Sequence, residues 1–167
     1  MRTPLCDNCL TSKNLCDACR SKLENSELTE KEISVLRFVR NLSIKTRSLQ
    51  DIKIVRVIDR GVLLIITGRG DAARLVGKGG AVVKLIAKKF KKSIRILEEA
   101  SNLKDFVEEL VTPAKVNGIN TLYRDNEEIF RVRVPEIQRN HLLLSQEDFS
   151  SVVSSFYDRK VELVFDI

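Results

Sequence analysis

The sequence predicts an α+β protein: two similar units behind a small cysteine-rich module. Three observations carry this. All four cysteines fall in the first nineteen residues, as two Cys-x-x-Cys pairs. Downstream, apolar residues alternate between helical spacing and strand-like runs. The resulting order of elements, helix–strand–strand–helix–helix–strand, occurs twice, each time over about 65 residues. The predicted divisions are 1–25, 28–98 and 101–167. With 167 residues and 43% hydrophobic composition, the chain can bury real cores, which excludes a wholly disordered protein.

In the first unit, Thr29 and Glu32 stand as N-cap and N3 of a capping box, with Leu28 and Ile33 as its hydrophobic staple. Val35, Phe38, Val39 and Leu42 continue at helical spacing, predicting a helix over 29–42, and 43–50 reads as a connector. Residues 52–58 form a strand, Asp59-Arg60-Gly61 a turn, and 62–67 a buried strand. Asp71 caps a short helix ending at Val76. Gly77-Lys78-Gly79-Gly80 interrupts, and a helix resumes over 81–90 with Val82, Val83, Ile86 and Phe90 on one face. Residues 93–97 alternate as the third strand.

The second unit repeats the pattern. Leu103, Phe106, Val107 and Leu110 make an amphipathic helix closed by Pro113. Strands over 115–123 and 129–134 flank the turn Arg124-Asp125-Asn126. Ser145, with Asp148 at N3, caps a helix carrying Phe149, Val152, Val153 and Phe156. Residues 161–167 alternate as the last strand. Leu142 to Leu144 are expected to pack beneath this unit.

Cys6, Cys9, Cys16 and Cys19 have the spacing that four-coordinate zinc needs, each pair spanning one edge of a tetrahedron. Four sulfur ligands leave no open position, so the expected role is structural, with one zinc per chain supplying folding energy to a short polar segment. No apolar run is long enough to span a membrane, and no signal-peptide pattern opens the chain. A cytoplasmic protein is expected, where structural disulfides are rare. An iron–sulfur cluster is the remaining alternative.

The glycine loop needs its own reason. Glycine lets a ligand backbone approach closely. The loop also presents the N-terminus of the helix at Ala81, and Lys78 adds positive charge, a combination suited to phosphate. The Walker pattern is not matched, and Gly68-x-Gly70 has Ala73 where a dinucleotide loop needs its third glycine. Lys84, Lys88 and Lys92 recur every fourth residue beyond the loop, flanked by Lys89 and Lys91.

Leu75-Val76-Gly77-Lys78-Gly79-Gly80 resembles the signature loop of the K-homology (KH) domain, and the element order resembles its type II form. Two such units resemble the tandem pair of the NusA-like transcription factors. The resemblance implies single-stranded RNA as ligand, with Gly77, Lys78, Gly79 and Gly80 clamping its backbone. Leu75, Val76 and Val83 would line the groove, and Arg74, Lys84 and Lys88 would meet phosphates. It further implies action on nascent RNA in transcription elongation or termination, with RNA polymerase as a possible partner. The alternative is a ribosome-associated or RNA-processing factor with the same module. Where the second unit should carry its loop stands His141-Leu142-Leu143-Leu144-Ser145, without glycine. That unit is expected not to clamp RNA and to serve as a brace or as a surface for a protein partner.

Charge follows the loop. The chain carries 29 basic and 23 acidic residues, net +6. Residues 51–97 hold twelve basic and three acidic groups, net +9, whereas 98–167 hold eight and fourteen, net −6. With one histidine, no nucleophile–base pair and cysteines committed to metal, the protein is not expected to be an enzyme. No recognition-helix pattern supports DNA readout.

Overall fold

The computed structural model describes all residues, Met1–Ile167. The chain forms two units, Met1–Glu99 and Ala100–Ile167.

In the first unit, helices α1 (Asp7–Thr11) and α2 (Asp17–Glu24) precede the long helix α3 (Glu30–Lys45). Thr29 caps α3 by accepting the Glu32 N–H at 3.1 Å. The helix runs three residues past the predicted end, its last turn closed by the Thr46 N–H on the Leu42 carbonyl at 3.0 Å; Ser43 is buried within it and satisfies its hydroxyl on the Arg40 carbonyl at 2.7 Å. Strand β1 (Ile54–Arg60) starts two residues later than expected. The Ile52 carbonyl and Ile54 N–H instead pair with Arg2 at 2.9 and 2.8 Å, in an isolated parallel bridge. Strand β2 (Val62–Thr67) lies between antiparallel β1 and parallel β3 (Ile94–Glu98). Its residues 63–67 are all buried, as a central strand requires.

Helices α4 (Ala72–Val76) and α5 (Ala81–Phe90) are joined by a 3₁₀ turn over Lys78–Gly80. Val39, Leu36 and Val35 of α3 share one core with Leu63 and Ile65 of β2, Leu75 of α4 and Ile86 of α5. Leu5, Cys9, Leu10 and Cys19 belong to this same core. The cysteine segment is therefore built into the first unit, with an apolar face its polar composition concealed.

The second unit has the same sheet topology: β4 (Gly118–Arg124) antiparallel to β5 (Glu127–Pro135), and β5 parallel to β6 (Lys160–Asp166). Asp125 and Asn126, both at positive φ, make the two-residue hairpin turn. Helices α6 (Leu103–Val111) and α7 (Gln146–Tyr157) bury Phe106, Val107, Phe149, Val152 and Val153. Ser145 caps α7 through the Asp148 N–H, as predicted. Strand β4 starts at Gly118, not at 115, because the Lys115 N–H is bonded to the Gln138 side chain at 2.7 Å.

One predicted element is replaced. In the position of the first helix of the helix pair stands a 3₁₀ turn, Glu136–His141. Leu142 and Leu144 are half-buried while Leu143 remains 46% exposed, so the leucine run packs only in part. No helix is long and apolar enough to cross a membrane.

Candidate nucleic-acid interface and metal centre

The chain reverses between α4 and α5 on three glycines at positive φ: Gly77 at 77°, Gly79 at 60° and Gly80 at 76°. These glycines do different work. A Cβ on Gly77 would lie 2.7 Å from Val82 Cγ2 and 3.1 Å from the Val82 nitrogen, so the bend closes only without a side chain. A Cβ on Gly79 would meet nothing within 4 Å. Lys78 and Gly79 are exposed, and the Lys84 ammonium donates to the Gly79 carbonyl at 3.2 Å. The loop is thus rigid at its base and bare at its tip.

The α4 side is anchored by Asp71. Its carboxylate does not cap α4, as the sequence suggested. Oδ2 accepts the Lys53 N–H at 2.8 Å and Oδ1 the Arg74 guanidinium at 3.0 Å. Asp71 is nearly buried, so these bonds fix the start of α4 to the chain entering β1. Glu98, at the end of β3, accepts the N–H groups of Gly70 and Ala72 at 3.0 and 3.3 Å.

The predicted RNA-facing residues separate by exposure. Lys78, Gly79, Lys84 and Lys88 are exposed; Arg74, Val76, Gly77, Gly80 and Val83 are half-buried. Leu75 is fully buried, so it supports the loop from the core and does not line a groove. Lys92 leaves the expected stripe. Helix α5 ends at Phe90, Lys91 turns left-handed at φ 52°, and the Lys92 ammonium binds both Asp59 carboxylate oxygens at 2.6 and 2.7 Å.

The four cysteine sulfurs lie within 4.8 Å of one another, with Cys6 and Cys16 Sγ 3.9 Å apart. Tetrahedral zinc at about 2.3 Å from each sulfur sets them about 3.8 Å apart. The Cys16 N–H points at Cys9 Sγ at 3.1 Å and the Cys19 N–H at Cys16 Sγ at 3.5 Å. The Cys19 N–H bond, then the Cys9 and Cys19 sulfurs, lower the Cys16 thiol to about 7. At Cys9 the Cys16 N–H pulls down, but burial and the three neighbouring sulfurs prevail and push it up to about 12. Burial also raises Cys19. Four thiolates so close cannot all ionise by themselves, and a divalent cation among them removes that conflict. The residues present therefore fit a structural zinc. Arg37, which no local pattern in the sequence ties to the cysteines, braces the site from α3: Nε donates to the Cys9 carbonyl at 2.9 Å and Nη2 to the Lys13 carbonyl at 3.2 Å.

The chain is similar to an archaeal NusA. The probable transcription termination protein NusA of Methanococcus vannielii is 30% identical over 78 residues, which is 46% of this chain and 45% of that protein. The chain thus spans under half the length of this relative. The crystal structure of APE1850 matches with a TM-score of 0.58 at 23% identity, covering 82% of this chain and all of that one, a likeness of fold. No protein-family model matches the chain.

In the second unit the glycine loop has no equivalent. The turn Glu136–His141 contains no glycine, and Arg139 lays its guanidinium over the Phe165 ring, 4.1 Å from its centroid.

Proposed function

We propose that the chain is a non-catalytic single-stranded RNA-binding protein of the NusA type, with a tandem pair of type II KH units, acting in the cytoplasm on nascent transcripts during elongation or termination. The observation that carries this reading is the loop over residues 77–80, with Gly77 held by Val82 and an open, positively charged tip. A bare main chain beside Lys78, Lys84 and Lys88 suits a sugar–phosphate backbone, and the +9 balance of residues 51–97 supports it. The likeness to an archaeal NusA supports the transcriptional role. One zinc on Cys6, Cys9, Cys16 and Cys19 holds the N-terminal segment in the first unit's core. The second unit lacks the loop and does not grip RNA in this manner.

The test is the double substitution Lys78→Asp with Gly79→Asp. Both positions are exposed, and aspartate tolerates the φ of Gly79 better than most residues. Binding of a single-stranded oligoribonucleotide should fall at least tenfold with the fold unchanged. Undiminished affinity would refute the assignment. Crosslinking in cells should recover nascent transcripts and polymerase; recovery of ribosomal RNA would place the protein on the ribosome instead.

A further inference from the structure

We propose that the free edge of β6 docks an extended, basic-apolar peptide segment of a partner protein, which adds to the second unit's sheet as a fourth strand. Strand β6 pairs with β5 on one side only. Exposed sheet edges are commonly blunted by lysines, proline or a bulge. Here the register from Ile129↔Lys160 to Pro135↔Asp166 is unbroken, β6 contains no proline, and its one lysine stands at the first position.

Beside this edge runs a groove of about 360 Å³ between the first turns of α7 and β6. Val161 and Leu163 form its apolar floor, and Ser150 contributes to its wall. Gln146 identifies the chemistry that fits. Its Nε2 donates to the Leu163 carbonyl at 2.8 Å. That carbonyl therefore points away from β5 into the groove. Main-chain groups alternate sides along a strand, so those of Val161 and Phe165 point the same way. A side-chain amide thus already occupies the place of an incoming strand's amide. The main chain of a peptide can replace it by strand addition.

The charges select the same occupant. Two carboxylates line the groove: Glu162, which shares its charge with Arg131 of β5 at 3.2 Å, and the exposed Glu147 at the start of α7, in a unit whose residues 98–167 carry a net −6. Glu147 and this net charge repel phosphate and favour lysine or arginine on the incoming strand, with small apolar residues facing Val161 and Leu163. The first unit differs: there Glu98, at the end of β3, is engaged by the N–H groups of Gly70 and Ala72 at the start of α4. In the second unit a 3₁₀ turn takes the place of α4. This inference does not depend on RNA binding by the first unit.

The experiment titrates the full-length, ¹⁵N-labelled protein with a capped heptapeptide of alternating lysine and valine. Shifts should concentrate at residues 146–150 and 161–165, and exchange of the Val161 and Leu163 amides should slow at least tenfold. The same peptide N-methylated on the residues facing the edge should bind at least tenfold more weakly. Gln146→Ala, which frees the Leu163 carbonyl, should tighten binding severalfold; Glu147→Lys, an exposed change, should weaken it. No shifts at millimolar peptide would overturn the proposal. So would equal binding of the N-methylated peptide, or protection of these amides by oligouridine but not by the peptide.

Discussion

The Glu32 carboxylate accepts the Val57 N–H at 2.7 Å. The capping box predicts that this side chain turns back on its own helix, and the Thr29 N–H does act on the carboxylate; Oε1 also crosses to β1, 25 residues away, with Arg56 Nε at 3.3 Å. The residue is fully buried. Desolvation therefore raises its carboxyl above the ordinary 4.5, only partly opposed by the Val57 N–H and Arg56. A carboxylate here bolts α3 to the sheet.

Removing the bolt leaves a buried N–H unpaired. Glu32→Ala should destabilise the protein by about 2–3 kcal/mol in urea unfolding, and Glu32→Gln, which keeps an acceptor, by less. The pH response has a defined sign. Because the folded pKa lies above the unfolded one, the native state holds the proton longer. The stabilisation from this group is complete below pH 4.5 and is lost as pH rises through the folded pKa. Glu32→Gln has no such proton. The stability difference between wild type and variant should therefore shift in the variant's favour as pH rises through that window. A difference constant with pH would disprove the linkage.

The glycines of the loop offer a second prediction. Gly77→Ala places a methyl 2.7 Å from Val82 Cγ2 at a φ of 77°, combining overlap with backbone strain. It should cost about 2–4 kcal/mol. Gly79→Ala meets only open space and pays only for its left-handed φ, about 1 kcal/mol. Thermal unfolding of the two variants should show the larger loss at Gly77; equal losses would mean that Val82 does not close the bend.

Much of this architecture was legible because local rules and tertiary packing agree. Val35 and Val39 repeat at helical spacing and are both buried; Ser145 and Asp148 form the predicted cap; the apolar run 63–66 is a central strand. The glycine loop was legible because Gly77 has no substitute there. The missed features connect residues far apart in sequence. Lys92 fitted a helical stripe, but its partner Asp59 lies 33 residues earlier and Lys91 has already left the helix. Arg37 reaches Cys9 over 28 residues. The 3₁₀ turn Glu136–His141 carries no periodicity from which to predict it.

The cysteine segment joins the first unit's core through Leu5 and Leu10, and its start pairs with Ile52 and Ile54 through Arg2. Metal loss should therefore be felt beyond residue 25. Metal analysis should find one zinc per chain, and Cys6→Ser with Cys9→Ser should abolish it. The doubly substituted protein should lose at least about 3 kcal/mol of stability, and the Ile54 amide, which donates to the Arg2 carbonyl, should exchange faster. Iron in place of zinc, or unchanged exchange at Ile54, would contradict this.

The salt dependence of RNA binding separates cations that face phosphate from those committed elsewhere. If Lys78, Lys84, Lys88 and neighbouring cations neutralise about four or five phosphates of a single strand, log K should fall against log salt with a slope of about −3. Lys88 is exposed, and Lys88→Ala should lower the slope's magnitude by roughly 0.7, the share of one phosphate. Lys92 is bound to both oxygens of Asp59, and Lys92→Ala should leave the slope unchanged while reducing stability. Anisotropy titrations of a labelled oligoribonucleotide across a salt series read both. A flat salt response would remove the phosphate track, and equal slope changes at the two lysines would mean that the Asp59 pair opens on binding.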